Sequence, residues 1–207
     1  MSDEETTQLQ TLLDQAAKEL RTGYVYFRSR VQLGEALDQR PDVFGTSPVF
    51  FIFILNSFRD ASILSLSRLV ETRNDTLNLR TIEKWIEDNE ARLPDARPQP
   101  VRNDILPKFR QRLDEIKSKT KGVFRARNEE IAHLNLDNVT QNKKPPQIGV
   151  DDVEKLYRDI HWALDAVAEA YLERGIGMLE VACSFDFRGL LEMAGRLGHG
   201  YGAKHQM

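Results

Sequence analysis

Apolar residues recur at steps of three and four along most of the chain, and the breaks in that rhythm mark its elements. Leu9, Leu13, Ala16, Leu20, Tyr24, Phe27 and Val31 predict one long amphipathic helix. It is expected to end before Pro41, because proline disfavours helical geometry in the residue ahead of it. Ser47-Pro48 reads as an N-cap with proline at the first helical position. The helix it opens, over 48–72, is apolar on most of its circumference and is expected to be the central, most buried element. Leu79, Ile82 and Ile86 define one side of a short helix over 77–90. The stretch 93–104, LPDARPQPVRND, has no periodicity and is rich in proline, which predicts a surface loop.

A single seam then runs from Asp104 to about Leu136 through Ile105, Phe109, Leu113, Ile116, Thr120, Val123, Arg127, Glu130 or Ile131, and Leu134, the mark of one continuous helix. A polar loop over 138–149 separates it from another long helix with Val153, Leu156, Ile160, Leu164, Val167 and Tyr171 inward and Gly175 as C-cap. A last short helix over 187–197 precedes the tail GHGYGAKHQM. No alternating strand pattern and no internal repeat is found. The expected class is all-α, an antiparallel bundle of five to six helices over 1–175, with 176–207 a helical extension and flexible tail of the same domain.

Composition narrows the setting. The formal net charge is −3, so the molecule as a whole does not attract nucleic acid and any basic patch is local. Cys183, the only cysteine, can form no internal disulfide, and with the polar, acidic MSDEETTQLQ start it indicates a cytoplasmic protein. The longest apolar run, Val49 to Leu55, is soon followed by Arg59 and Asp60 and falls short of the roughly 20 residues a membrane span requires. It is expected to be a buried helix or strand, with no membrane as partner.

No cofactor motif is present. Glu130 and His133 form the ExxH half-motif of bundle di-iron proteins, but the other histidines follow Arg158, Arg196 and Gly202 at that spacing, so no metal is expected. Attention therefore falls on Arg127 and His133. Arg127 lies on the apolar seam, a costly place for a guanidinium without a partner or a role. Residues 102–127 hold nine basic residues against three acidic ones, and Lys117, Lys121 and Arg125 stand one turn apart in a row that could follow a phosphate backbone. Asn128 adds a neutral hydrogen-bonding group. The same residues also read as ordinary packing, with Arg127 paired to Asp60 or Glu71 and the lysine row simply solvated. At 100° per residue His133 lies about 240° round from Arg127, so a straight helix does not present both on one face. A broken helix, or two copies pooling their segments across a two-fold axis, would bring them together.

The stretch RNEEIAH resembles the Arg-x(4–6)-His motif of the HEPN superfamily, which carries a polar residue directly after the arginine. Residues 59–82, RDASILSLSRLVETRNDTLNLRTI, look like the AbiU-like branch associated with bacterial abortive infection, in which a helix ends in an acid and a DTLNLR-type turn leads into the next. The similarity covers about 1–175. It implies an α-helical bundle, active as a homodimer, that cleaves RNA without a metal or cofactor in phage defence or a toxin–antitoxin system with a partner protein. In that reading His133 is the general acid or base, Arg127 holds the scissile phosphate, Asn128 positions it, Lys117, Lys121 and Arg125 bind RNA, and Glu71 supports the site. Some family toxins carry a modifiable tyrosine two residues after the histidine. That position is Asn135 here, so no nucleotide transfer is expected there. Other members have lost activity and serve as dimeric interaction or ligand-binding modules, the alternative reading for this chain.

Overall fold

The computed structural model describes residues 3–73, 75–93, 99–126, 149–177, 179, 187, 189, 191 and 192. Its helices are α1 (Asp3–Asp38), α2 (Pro41–Thr46), α3 (Pro48–Val70), α4 (Leu79–Asn89), α5 (Gln99–Lys119), α6 (Lys121–Ala126) and α7 (Val150–Leu172), with a 3-10 turn at Glu90–Arg92. No strand occurs among the described residues. The chain is all-α, as the periodicity predicts.

The seam of α1 is buried as its spacing requires: Leu9, Leu13, Ala16 and Leu20 are fully enclosed, with Tyr24 and Phe27 nearly so. α3 runs antiparallel to it, since Arg68 reaches Glu19 at one end and Phe58 stacks near Tyr26 at the other. α7 is also antiparallel to α1, with Glu154 beside Arg28 and Arg174 beside Asp14. α5 packs along α7, while α4 rests on α1 and α5. Every inward residue read for α7 is buried. The helices approach closely at Gly23, where an added Cβ would lie 2.5 Å from the Tyr157 hydroxyl and 2.6 Å from Ser65 Cβ. That crossing lets the Tyr157 hydroxyl donate to the Ser62 carbonyl at 3.1 Å and meet Ser62 Oγ at 2.8 Å.

Several boundaries differ from the sequence reading, each for a local reason. α2 fills what read as a connection: Pro41 opens it and Val43 is buried beneath it. Ser47 is the N-cap residue of α3, but its side chain makes no capping bond. α5 begins at Gln99 rather than Asp104, because Pro100 sits in the first turn, where no N–H is needed. α7 ends at Leu172, and its C-cap is Glu173 in the left-handed conformation (φ 54°), two residues before Gly175. The seam through Thr120 is not one continuous helix: α5 stops at Lys119 and α6 starts at Lys121.

The expectation for α3 needs the largest correction. Its second half is central, with Ser62, Ile63, Ser65, Leu66, Ser67, Leu69 and Val70 buried, the small serines admitting close neighbours. Its first half is not. Val49 is 80% exposed, Phe53 68%, Phe50 55% and Ile52 49%. α3 is long and apolar enough to cross a membrane by composition, yet its second half lies in the protein core. Beside the first half, a smaller apolar cluster joins the end of α1, Val43, Phe51 and Leu191, with Phe187 packed against it.

Candidate functional site

The segment leading to Arg127 is built on Thr120. This residue is fully buried, and its hydroxyl donates to the Lys117 carbonyl at 2.9 Å, a local bond that competes with regular helix geometry. Its N–H is shared between the Ile116 and Lys117 carbonyls at 3.0 and 3.3 Å, and Phe124 N–H resumes the helical pattern by donating to Thr120 O at 3.0 Å. Gly122, a poor helix former, follows the junction. Buried Val123 and partly buried Phe124 then fix α6 against the core, where it meets α3. A short anchored turn, rather than a long free helix, hands the chain on to Arg127.

The other side of this region is the end of α3. Glu71 caps that helix, its N–H donating to Ser67 O at 2.9 Å, and its Oε1 accepts from Thr76 Oγ1 at 3.1 Å. The following turn is held by fully buried Asn78. Its Oδ1 accepts from the N–H groups of Arg80 (2.9 Å) and Thr81 (3.0 Å), and Thr81 Oγ1 accepts from Asn78 N–H at 2.9 Å, a complete capping box. Asn78 Nδ2 also donates back to Arg73 O at 2.6 Å. The DTLNLR stretch is thus a rigid helix entry. Arg73 grips Asp75 beside it, and that hydrogen bond holds the Asp75 carboxyl below its usual range. Thr72, Arg80 and Lys117 line one shallow crevice, so Lys117 stands next to the α3 terminus that ends in Glu71.

The basic segment divides into two kinds of cation. Lys108 pairs with Asp104 at 3.2 Å. Arg110 bonds nearly buried Glu83 at 2.7 Å and also pairs with Glu87. Arg112 bonds Glu115 (2.7 Å) and Asp159 (2.6 Å) and lies 5.4 Å from the centre of the Trp162 ring. Its bond holds the Glu115 carboxyl below the ordinary range. Lys119 bonds Asp159 at 2.8 Å. Lys117 and Lys121, on either side of the Thr120 junction, are exposed and make no ion pair among the described residues. Of the six cations of this segment whose side chains are described, four are therefore paired with carboxylates, and these two lysines have no such partner among the described residues.

A family model described as AbiU2, of the HEPN class, matches residues 6–190. The chain belongs to the HEPN AbiU2 family. No curated protein and no solved structure matches it. The family places this HEPN chain among proteins associated with abortive infection.

For this AbiU2 chain, the structure sets Lys117 beside Val70 and Thr72, which flank Glu71 in sequence, and Lys121 on the anchored turn beyond it. The backbone of Arg125 belongs to α6. Its side chain, and the whole of Arg127, Asn128, His133 and Asn135, lie outside the described residues, as do the ExxH half-motif and the helix read as far as Leu136. Of the carboxylates considered for Arg127, Asp60 bonds Arg59 at 3.0 Å and Glu71 bonds Thr76. The sequence reading missed the fixing of Lys119 and Arg112 by Asp159. The available signal was an acid flanked by the inward positions Leu156 and Ile160 of α7.

Proposed function

We propose that this HEPN protein is a metal-independent endoribonuclease acting in phage defence, as an abortive-infection effector or a toxin held by a partner protein. The observation that carries the reading is the division of charge in the basic segment. Lys117 and Lys121 stay unneutralised among the described residues, on the stretch that runs directly into Arg127, Asn128 and His133. Unpaired lysines on a rigid turn suit phosphate contacts, which give affinity without sequence readout.

In this mechanism Lys117, Lys121 and Arg125 hold successive phosphates, and Arg127 binds the non-bridging oxygens of the scissile one. His133 exchanges protons with the reacting oxygens, as an imidazole can near neutrality. A proton leaves the ribose 2′-hydroxyl, the 2′-oxygen attacks phosphorus, the bond to the 5′-oxygen breaks, and that oxygen takes up a proton. The products are a 2′,3′-cyclic phosphate and a 5′-hydroxyl. Arg127 offsets charge that grows on the phosphate in the transition state. Asn128 orients phosphate or imidazole, and Glu71 supports the site. Two copies of the segment would pool Arg127 from one chain with His133 from the other.

The test is RNA cleavage in EDTA by wild type, His133→Ala and Arg127→Ala at matched thermal stability. Cleavage abolished by both substitutions, with cyclic-phosphate ends, is the expected result. Wild-type protein that cuts neither tRNA, mRNA nor total RNA would replace this reading with that of a non-catalytic helical interaction module, which the exposed apolar half of α3 would suit.

A further inference from the structure

α1 and α3 carry five arginines, and four of them have a partner within the fold. Arg21 donates to the Ile176 carbonyl at 2.7 Å, Arg28 pairs with Glu154 at 3.5 Å, Arg59 with Asp60 at 3.0 Å and Arg68 with Glu19 at 3.2 Å. Arg30 is the exception. It is partly buried, yet makes no hydrogen bond or ion pair among the described residues.

Its surroundings supply a cation where a carboxylate is needed. From Leu20 to Gly34, α1 holds three arginines and no acid, and the single acid of α3, Asp60, is bonded to Arg59. Phe58 lies 6.2 Å from Tyr26 between ring centres across the antiparallel pair, which sets Arg59 beside the turn of α1 that runs from Tyr26 to Arg30. Burial and the Arg59 charge both push the Arg30 guanidinium below the ordinary arginine range. A partly desolvated cation next to a like charge costs free energy that its packing does not offset.

Space is open beside it. Gly34 lies one turn on from Arg30 on the same face of α1, and a Cβ added there would meet nothing within 4 Å. Two guanidiniums present planar forks of N–H donors, and their complement is a group whose oxygens share negative charge. A phosphate can meet two forks from different sides, whereas a carboxylate offers one edge, which a single fork saturates.

We infer that Arg30, backed by Arg59, is a phosphate-binding site on the α1–α3 face, for a phosphate borne by an RNA chain or by a free nucleotide. The bound anion gives Arg30 the acceptor that the fold does not supply and offsets its repulsion from Arg59. With RNA as the source, the site adds a contact remote in sequence from Lys117 and Lys121 and rests on the ribonuclease reading. Binding itself requires no cleavage.

Thermal melts of the full chain test it with inorganic phosphate, AMP, a 2′-O-methyl RNA oligonucleotide that cannot be cut, and acetate at matched ionic strength. A phosphate probe at a hundredfold excess over its dissociation constant is expected to raise the wild-type melting temperature by about 5–10 °C. Acetate is expected to leave it unchanged. Arg30→Gln should weaken the responding probe by about tenfold or more, the loss of a charge-assisted contact, without lowering the basal melting temperature, since a like charge is removed. Arg30→Lys, which keeps the charge but loses the fork, should respond less than wild type. A response to phosphate or AMP names a free nucleotide as the source, and a response to the oligonucleotide alone names RNA. No response to any phosphate probe, an equal response to acetate, or a response that Arg30→Gln retains in full would each overturn the inference. Protein that cuts RNA without these responses would keep the ribonuclease reading and lose this one, and phosphate binding without cutting would do the reverse.

Discussion

Lys119 donates to Asp159 at 2.8 Å across the interface of α5 and α7, while Lys121, two residues further along, faces solvent with no ion pair among the described residues. Asp159 is nearly buried and also accepts from Arg112 at 2.6 Å. Asp159→Asn should cost about 2 kcal/mol, less than a fully buried pair because both cations are partly solvated. Urea unfolding should show a lower midpoint at unchanged slope. A midpoint equal to wild type would mean that the two bonds only break even with solvation.

The division of cations makes a paired comparison for RNA affinity. Replacing Lys117 and Lys121 together by alanine should weaken binding uniformly across sequences. It should also reduce the slope of log affinity against log salt by roughly 1.4, two single-strand phosphate contacts. Lys108→Ala, which removes a lysine already paired with Asp104, should leave the slope unchanged. Equal effects from both sets would sink the assignment of Lys117 and Lys121 as phosphate contacts.

Two glycines in α1 should respond with opposite signs. Alanine at Gly23 would press on Tyr157 and Ser65, and should destabilise by about 1–3 kcal/mol, as overpacking of a close helix crossing does. Alanine at Gly34 meets nothing within 4 Å and should stabilise by about 0.5–1 kcal/mol through helix propensity. Thermal melts of the two variants read the contrast directly.

Alkaline stability should depend on Tyr157. Burial pushes its hydroxyl well above the ordinary range, only partly opposed by the bond to Ser62. In the unfolded chain it ionises near its usual value of about 10. The unfolded state therefore loses a proton that the folded state keeps, so this contribution is complete below about pH 10 and declines as pH rises further. Tyr157→Phe should flatten that decline, at a cost of about 1–2 kcal/mol at neutral pH from the unpaired Ser62 hydroxyl. Stability curves against pH for both proteins would show whether the slopes differ.

Much of the bundle was legible because its helices have long, regular seams. The spacing of Leu9, Leu13, Ala16 and Leu20, and that of Val153, Leu156, Ile160 and Leu164, leaves one face able to enter a core, and those residues are buried. α4 was readable for a similar reason, while its Asn78 capping box, also a contact between neighbours in the chain, was found only in the structure. The motif that points to HEPN chemistry is also a local string, and the family match supports the class it suggested.

Burial of α3 and the fate of each cation were not local properties. An apolar circumference states what a helix could bury; only the neighbours it meets determine how much of it is buried. α1, α4 and α6 pack on α3, Tyr157 of α7 reaches Ser62, and the second half is buried, while Val49, Phe50, Ile52 and Phe53 stay exposed. Likewise a row of lysines and arginines looks uniform in sequence. Glu83 and Asp159, tens of residues away, neutralise Arg110, Arg112 and Lys119, while Lys117 and Lys121 have no ion pair among the described residues. Periodicity and local motifs specified the helices and the family, because both depend on near neighbours in the chain. Which surfaces and charges remain available for binding was decided by tertiary packing, because burial and ion pairing are set by partners distant in sequence.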